Sequence, residues 1–318
     1  MAGSSRKAIF AALVGNSLIA VTKFGAAAMT GSAAMLSEGI HSVVDTGNQV
    51  LLLLGLKRAQ RQPSPGFPFG HGKEVYFWSF AVAILIFALG AGISLYQGYS
   101  HLRDPTPLEN VSVNYIVLAL AILFEAGAFT VAFREFNAQR GKLGALEAVR
   151  RGKDPTLFVV LFEDGAAMLG LLVALVGIFL ADQTGNLVYD GAASMLIGLI
   201  LAATAVWLAY ETQSLLIGES AADWLVGKVN ATLAGTTGIE TVNEVATLHM
   251  GPNFILVTIS VDFSPSMNSD DVETCVSELT REIKAIDPSI RRVFIEAEKI
   301  ADHLREIADS LPGTAQES

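Results

Sequence analysis

Six long, mostly apolar stretches occupy the first two thirds of the chain. They run from Lys7 to Met29, Ser32 to Leu56, Val75 to Tyr96, Val113 to Phe133, Thr156 to Leu180 and Asp190 to Leu216. A helix needs roughly 20 such residues to cross a hydrocarbon layer of about 30 Å. Lipid offers no hydrogen bonds, so each crossing backbone must satisfy its own polar groups, which an α-helix does. Residues 1–218 are therefore expected to form a six-helix transmembrane domain. The overall balance agrees: 52% of residues are hydrophobic and 16% are charged, where a soluble domain carries about 25%.

The links between the apolar runs set the orientation, because Lys and Arg collect on the cytoplasmic side. One side carries Arg6, Lys7, Lys57, Arg58, Arg61, Lys73, Arg134, Arg140, Lys142, Arg150, Arg151 and Lys153; the other carries Arg103 alone between spans. Both termini are expected in the cytoplasm. The opening "MAGSSRKAIFAALVG" lacks a cleavage site and reads as the start of the first span. The net charge of −10 and the lack of a long basic tract argue against nucleic acid. Cys275 is the single cysteine, so no intrachain disulfide can form.

From Ala221 the charge density rises and the pattern becomes that of a soluble domain. "ADWLVGKVNATLAG" has helical spacing, while "ETVNEVATLHM" and "FILVTISVDF" alternate like strands about a "GPN" turn. "SDDVETCVSELTREIKAI" is an amphipathic helix, with Ser269 as its expected N-cap, and "RRVFIEAEKI" is a third strand. Residues 219–300 are thus expected to form an α+β domain of order αββαβ. A domain of about 80 residues buries only a modest core, which favours dimerisation. Residues 301–318 read as a polar tail with one or two helical turns.

The second span carries what lipid should exclude. Glu38, His41, Asp45 and Asn48 are spaced 3, 4 and 3 residues apart, so they share one helix face, turned away from lipid. At roughly 1.5 Å per residue, His41 and Asp45 lie about 15–21 Å from the hairpin apex near Gly31, close to the midplane. Glu163 and Asp164 on the fifth span and Glu125 on the fourth fall at a similar depth. A His and an Asp four residues apart on one helix are well placed to bind a single Zn²⁺ or similar divalent ion. Lys23 and Glu38, on neighbouring spans, are expected to form a structural ion pair, or Lys23 to snorkel toward the membrane surface. No HExxH or Gly-x-Ser-x-Gly pattern is present, so an enzyme is not expected.

These motifs resemble the cation diffusion facilitator family of divalent-metal/proton antiporters. "LSEGIHSVVD" resembles its second span, "PFGHGKEVYFWS" the opening of its third, and "DGAASMLIGLILAATAVWLAYETQSLLIGES" its sixth span and exit. The αββαβ end resembles the family's metallochaperone-like, ferredoxin-like dimerisation domain. The resemblance implies a proton-coupled exporter of Zn²⁺ first, with Mn²⁺, Fe²⁺, Co²⁺ and Cd²⁺ as further cargoes. It implies metal ligation by His41, Asp45 and Asp164, with Glu163, Glu125 and Asn48 as further ligands or proton carriers. No cofactor is implied beyond the transported metal. The partners implied are a second copy of the chain, the lipid bilayer, metal ions and protons, and the expected location is a bacterial inner membrane. One departure stands out. The usual fifth-span pattern is His-x-x-x-Asp, but Val160 occupies the first position and Glu163 precedes Asp164. This resembles a branch that includes mitochondrial zinc-transporter relatives. The alternative is a transport-inactive scaffold or metal-responsive regulator of the same fold. His71 reads as a turn and packing residue rather than a loop zinc ligand. Thr258, Glu296, Glu298 and His249 do not make a convincing second metal pair.

Overall fold

A computed structural model describes residues 2–105, 107, 110–140, 144 and 155–310. Lys142, Arg150, Arg151, Lys153 and residues 311–318 of the expected tail lie outside the described residues. The chain divides into two compact units. The first is helical: α1 (Ala2–Thr30), α2 (Ala33–Ala59), α3 (Glu74–Arg103), α4 (Val111–Arg140), α5 (Pro155–Thr184) and α6 (Val188–Ile217). Among the described residues, four helices, α3 to α6, are long and apolar enough to cross a membrane. The helix α2 has the length, at 27 residues, but carries the polar stripe.

Sequence explains the joints of this unit. Gly31 ends α1 in the left-handed region, at φ 68°, where a side chain is strained. Ser32 then caps α2, its hydroxyl accepting from Met35 N at 3.1 Å. The helix α3 contains one π-helical turn, Ile86–Ala91. It packs antiparallel to α6 along a glycine seam: Gly98 lies against Met195, Gly191 against Leu102 and Gly198 against Leu95. Small residues of this kind let membrane helices approach closely.

The second unit contains α7 (Asp223–Ala234), β1 (Ile239–Gly251), β2 (Phe254–Phe263), α8 (Ser269–Ile286), β3 (Ile290–Ala297) and α9 (Ile300–Ser310). Its sheet has the order β1-β2-β3, antiparallel between β1 and β2 and parallel between β2 and β3. Leu225, Val229 and Leu233 of α7 share a core with Val257 and Ile259 of β2 and with Cys275, Leu279 and Ile283 of α8. Burial, with Glu278 and Glu282 nearby, holds the Cys275 thiol above its ordinary range.

Three details differ from the sequence expectation. The cap of α8 is Asn268, not Ser269: Asn268 accepts from Asp271 N, and the Asp271 carboxylate accepts from Asn268 N, closing a capping box. The expected tail begins as a helix of 11 residues, α9. It is tied down by His303, whose Nδ1 lies 2.9 Å from Glu298 Oε2, an oxygen that also accepts from Ser260 Oγ at 2.8 Å. Third, Pro63–Gly72, expected with the membrane domain, groups with the second unit. There Gly72 is pressed against the Met250 carbonyl so closely that a Cβ has no room.

Candidate functional site

The polar face of α2 is buried along its length. Glu38, His41, Asp45 and Asn48 are at most 5% exposed. Burying such groups is costly unless they find partners. At one end of the stripe, Lys23 of α1 supplies one: its Nζ donates to Glu38 Oε2 at 3.0 Å and to Ser42 Oγ at 2.9 Å. This is the ion pair expected from the sequence, and Ser42 is an additional acceptor.

Toward the other end, α2 meets α5. Asn48 Nδ2 donates to Glu163 Oε1 at 2.6 Å. The Asp45 carboxyl faces the charge of Glu163. His41 Nδ1 is 3.3 Å from Asp45 Oδ1, and neither ring nitrogen of His41 makes a hydrogen bond. The same two helices touch again seven residues further on, where Gly170 of α5 leaves the space filled by Glu38 Oε1. The pairs Asp45/Glu163 and Glu38/Gly170 lie in one antiparallel register, so the i, i+7 spacing of each helix explains both contacts.

The structure thus brings together His41, Asp45, Asn48 and Glu163. Asp164 is buried beside Glu163 and faces the charges of Glu163 and Glu125, itself buried on α4. Adjacent helical residues diverge by about 100°, so only one of Glu163 and Asp164 can meet α2 head-on. It is Glu163. Among the described residues, no three His, Cys, Asp or Glu groups are arranged to hold a metal ion together. The other candidates lie elsewhere. His71 packs on the Phe67 ring at 4.5 Å, His249 is buried, and Thr258 and Glu296 line an open groove on the sheet.

Sequence reasoning missed a second buried polar cluster. Asp190 of α6 reaches the N-terminus of α2, accepting from Ser32 Oγ and from Ala33 N, each at 2.7 Å. His101 of α3 lies beside it. An acid in the first turn of α6 looks like a local helix-dipole partner, so its long-range role left no local signal.

Comparison with known proteins bears on this geometry. Residues 9–217 match the model of the cation efflux transmembrane domain. The chain belongs to the cation efflux family. Over 313 residues it is 32% identical to the mitochondrial proton-coupled zinc antiporter SLC30A9 of Xenopus laevis, an alignment covering 96% of this chain and 56% of the relative. It is 31% identical over 266 residues to metal tolerance protein C4 of Arabidopsis thaliana, covering 83% of this chain and 58% of that one. The cation-efflux pump FieF of Escherichia coli O127:H6 is 25% identical over 277 residues, covering 85% and 87%. The chain spans little more than half the length of the antiporter and metal tolerance relatives. The matched cation efflux region contains α2 and α5, and hence every member of the His41–Asp45–Asn48–Glu163 cluster.

Proposed function

We propose that this chain exports a divalent metal cation, Zn²⁺ foremost, in exchange for protons. The observation that carries the reading is the buried meeting of Asp45 and Asn48 with Glu163, beside His41. A membrane protein has little use for such groups inside its helices unless they bind something. One imidazole among several oxygens suits Zn²⁺, and the oxygen-rich set also admits Mn²⁺, Fe²⁺, Co²⁺ and Cd²⁺. The ligands are His41, Asp45 and Asp164. Glu163 carries the coupled proton, with Glu125 and Asn48 supporting it. Metal and proton compete for the same carboxyl oxygens, so binding one releases the other. The chain works with six spans, both termini in the cytoplasm of a bacterial inner membrane, as a homodimer joined through its C-terminal unit. Relatives named as a proton-coupled zinc antiporter, a metal tolerance protein and a cation-efflux pump support the reading.

Purified protein in liposomes, with a zinc indicator inside and an imposed pH gradient, tests it. Wild type is expected to move Zn²⁺, and Asp45→Ala or Asp164→Ala to fall to the rate of protein-free vesicles. Glu163→Gln is expected to bind Zn²⁺ but lose the pH dependence of its flux. Near-wild-type flux in Asp45→Ala would overturn the site. Absence of flux in wild type would favour a scaffold or regulator.

A further inference from the structure

The geometry points to a second proton-binding site, formed by His101 and Asp190 at the end of the helical unit that carries the α1–α2 turn. This inference rests on the proton-coupled reading above. His101 Nε2 lies 3.7 Å from Asp190 Oδ2. Both residues are more than nine-tenths buried, yet Nε2 makes no hydrogen bond. The pair borders a pocket of about 390 Å³ lined by Phe24, Ala27, Ser32, Gln97, His101 and Asp104.

Asp190 by itself has a structural explanation. Its carboxylate accepts from Ser32 Oγ and Ala33 N at 2.7 Å and from Ala34 N at 3.4 Å, holding the first turn of α2. A carboxylate there satisfies donors that an isolated helix end leaves unpaired. That role does not need His101. A buried imidazole nitrogen without a partner is costly, and protonation gives it a donor aimed at Asp190. The ionisable groups beside His101 are Asp190 from α6 and, in the pocket lining just after α3, Asp104. From α1 and α2 the pocket is lined by side chains that do not ionise, namely Phe24, Ala27, Ala28, Ser32, Ala33 and Leu36.

The consequence reaches the transport site through α2. The Asp190 oxygen nearest His101 is the one that holds Ala33 N. A proton on His101 competes for that oxygen and alters the grip on the start of α2. Asp45 lies on the same helix, about 20 Å further along. His101 so reports proton concentration on the face of the α1–α2 turn to the helix that binds metal. It is a positioning residue for transport and touches no cargo.

The experiment varies pH separately on the two faces of liposomes holding wild type or His101→Gln. The proton concentration giving half-maximal Zn²⁺ flux is expected to shift on one face only, that of the α1–α2 turn. The Kd for Zn²⁺ in detergent should stay as in wild type. A second readout does not depend on transport. In histidine-labelled protein, one imidazole resonance should vanish in His101→Gln, titrate in wild type, and change its titration in Asp190→Asn. An unchanged pH response of flux overturns the proposal, as does a His101 resonance that does not titrate between about pH 4 and 9. If wild type carries no Zn²⁺, the export reading fails, and the resonance alone decides the proton site.

Discussion

At the scale of single residues, Lys23 does most to make the buried acids tolerable. Its ammonium sits between Glu38 and Ser42 with all three side chains withdrawn from solvent. Breaking a buried pair by removing one partner strands the other charge, at about 3–5 kcal/mol. Lys23→Met is therefore expected to lower the thermal unfolding midpoint in detergent substantially. The double variant Lys23→Met/Glu38→Leu should recover much of that loss, because it removes both charges. A double variant no more stable than the single one would show that Glu38 is satisfied by other groups. The Lys23–Glu38 pair was legible in the sequence, since both residues lie equally far from a short hairpin. The face shared by His41, Asp45 and Asn48 was legible for the same reason: spacing within one helix is fixed by the helix. The choice of Glu163 over Asp164 as the residue meeting Asn48 was not legible, because the rotation of α5 about its axis is set by packing.

At the scale of elements, packing rather than apolarity fixes which helices pair. Apolar length found α3 to α6, and hairpin chemistry found β1 and β2 on either side of Pro252 and Asn253. Neither could show the seam between α3 and α6. A Cβ on Gly98 would lie 2.6 Å from Met195 N and 2.9 Å from Gly191 O, both backbone atoms with no freedom to move aside. Gly98→Ala must push the helices apart. Overpacking of this kind costs typically about 1–3 kcal/mol. The expected result is a lower unfolding midpoint, whereas Gly127→Ala on α4, where nothing lies within 4 Å of the added carbon, should leave it unchanged or raise it. Equal midpoints for Gly98→Ala and wild type would mean that the seam is loose. The helix α9 shows the reverse limit. His303 faces inward while Leu304 and Ile307 stay exposed, so the sequence pattern gave a helix length too short and no hint of its anchor at Glu298.

At the scale of the whole molecule, the number of helices that cross the membrane fixes where the buried polar stripe of α2 lies. The helices α3 to α6 qualify on apolarity, and α1 and α2 have the length of a span without that uniform surface. The polar face of α2 is buried against α1 and α5, so the missing apolarity concerns its inward side, where lipid does not reach. That argues for α1 and α2 as the first two of six spans. The two possibilities place the α1–α2 turn on opposite sides. With six spans, Met29 lies on the same side as Asn186 in the α5–α6 turn and opposite Gln62 after α2. With four, Met29 shares its side with Gln62. Single cysteines introduced as Met29→Cys, Gln62→Cys and Asn186→Cys, in a Cys275→Ala background, separate these cases with a membrane-impermeant maleimide applied to sealed vesicles of known orientation. The expected outcome is that Met29→Cys and Asn186→Cys label from one side and Gln62→Cys from the other. Labelling of Met29→Cys together with Gln62→Cys would confine the crossing to α3–α6. It would also leave His41 and Asp45 outside the bilayer, and a metal path through them would then have no membrane to cross.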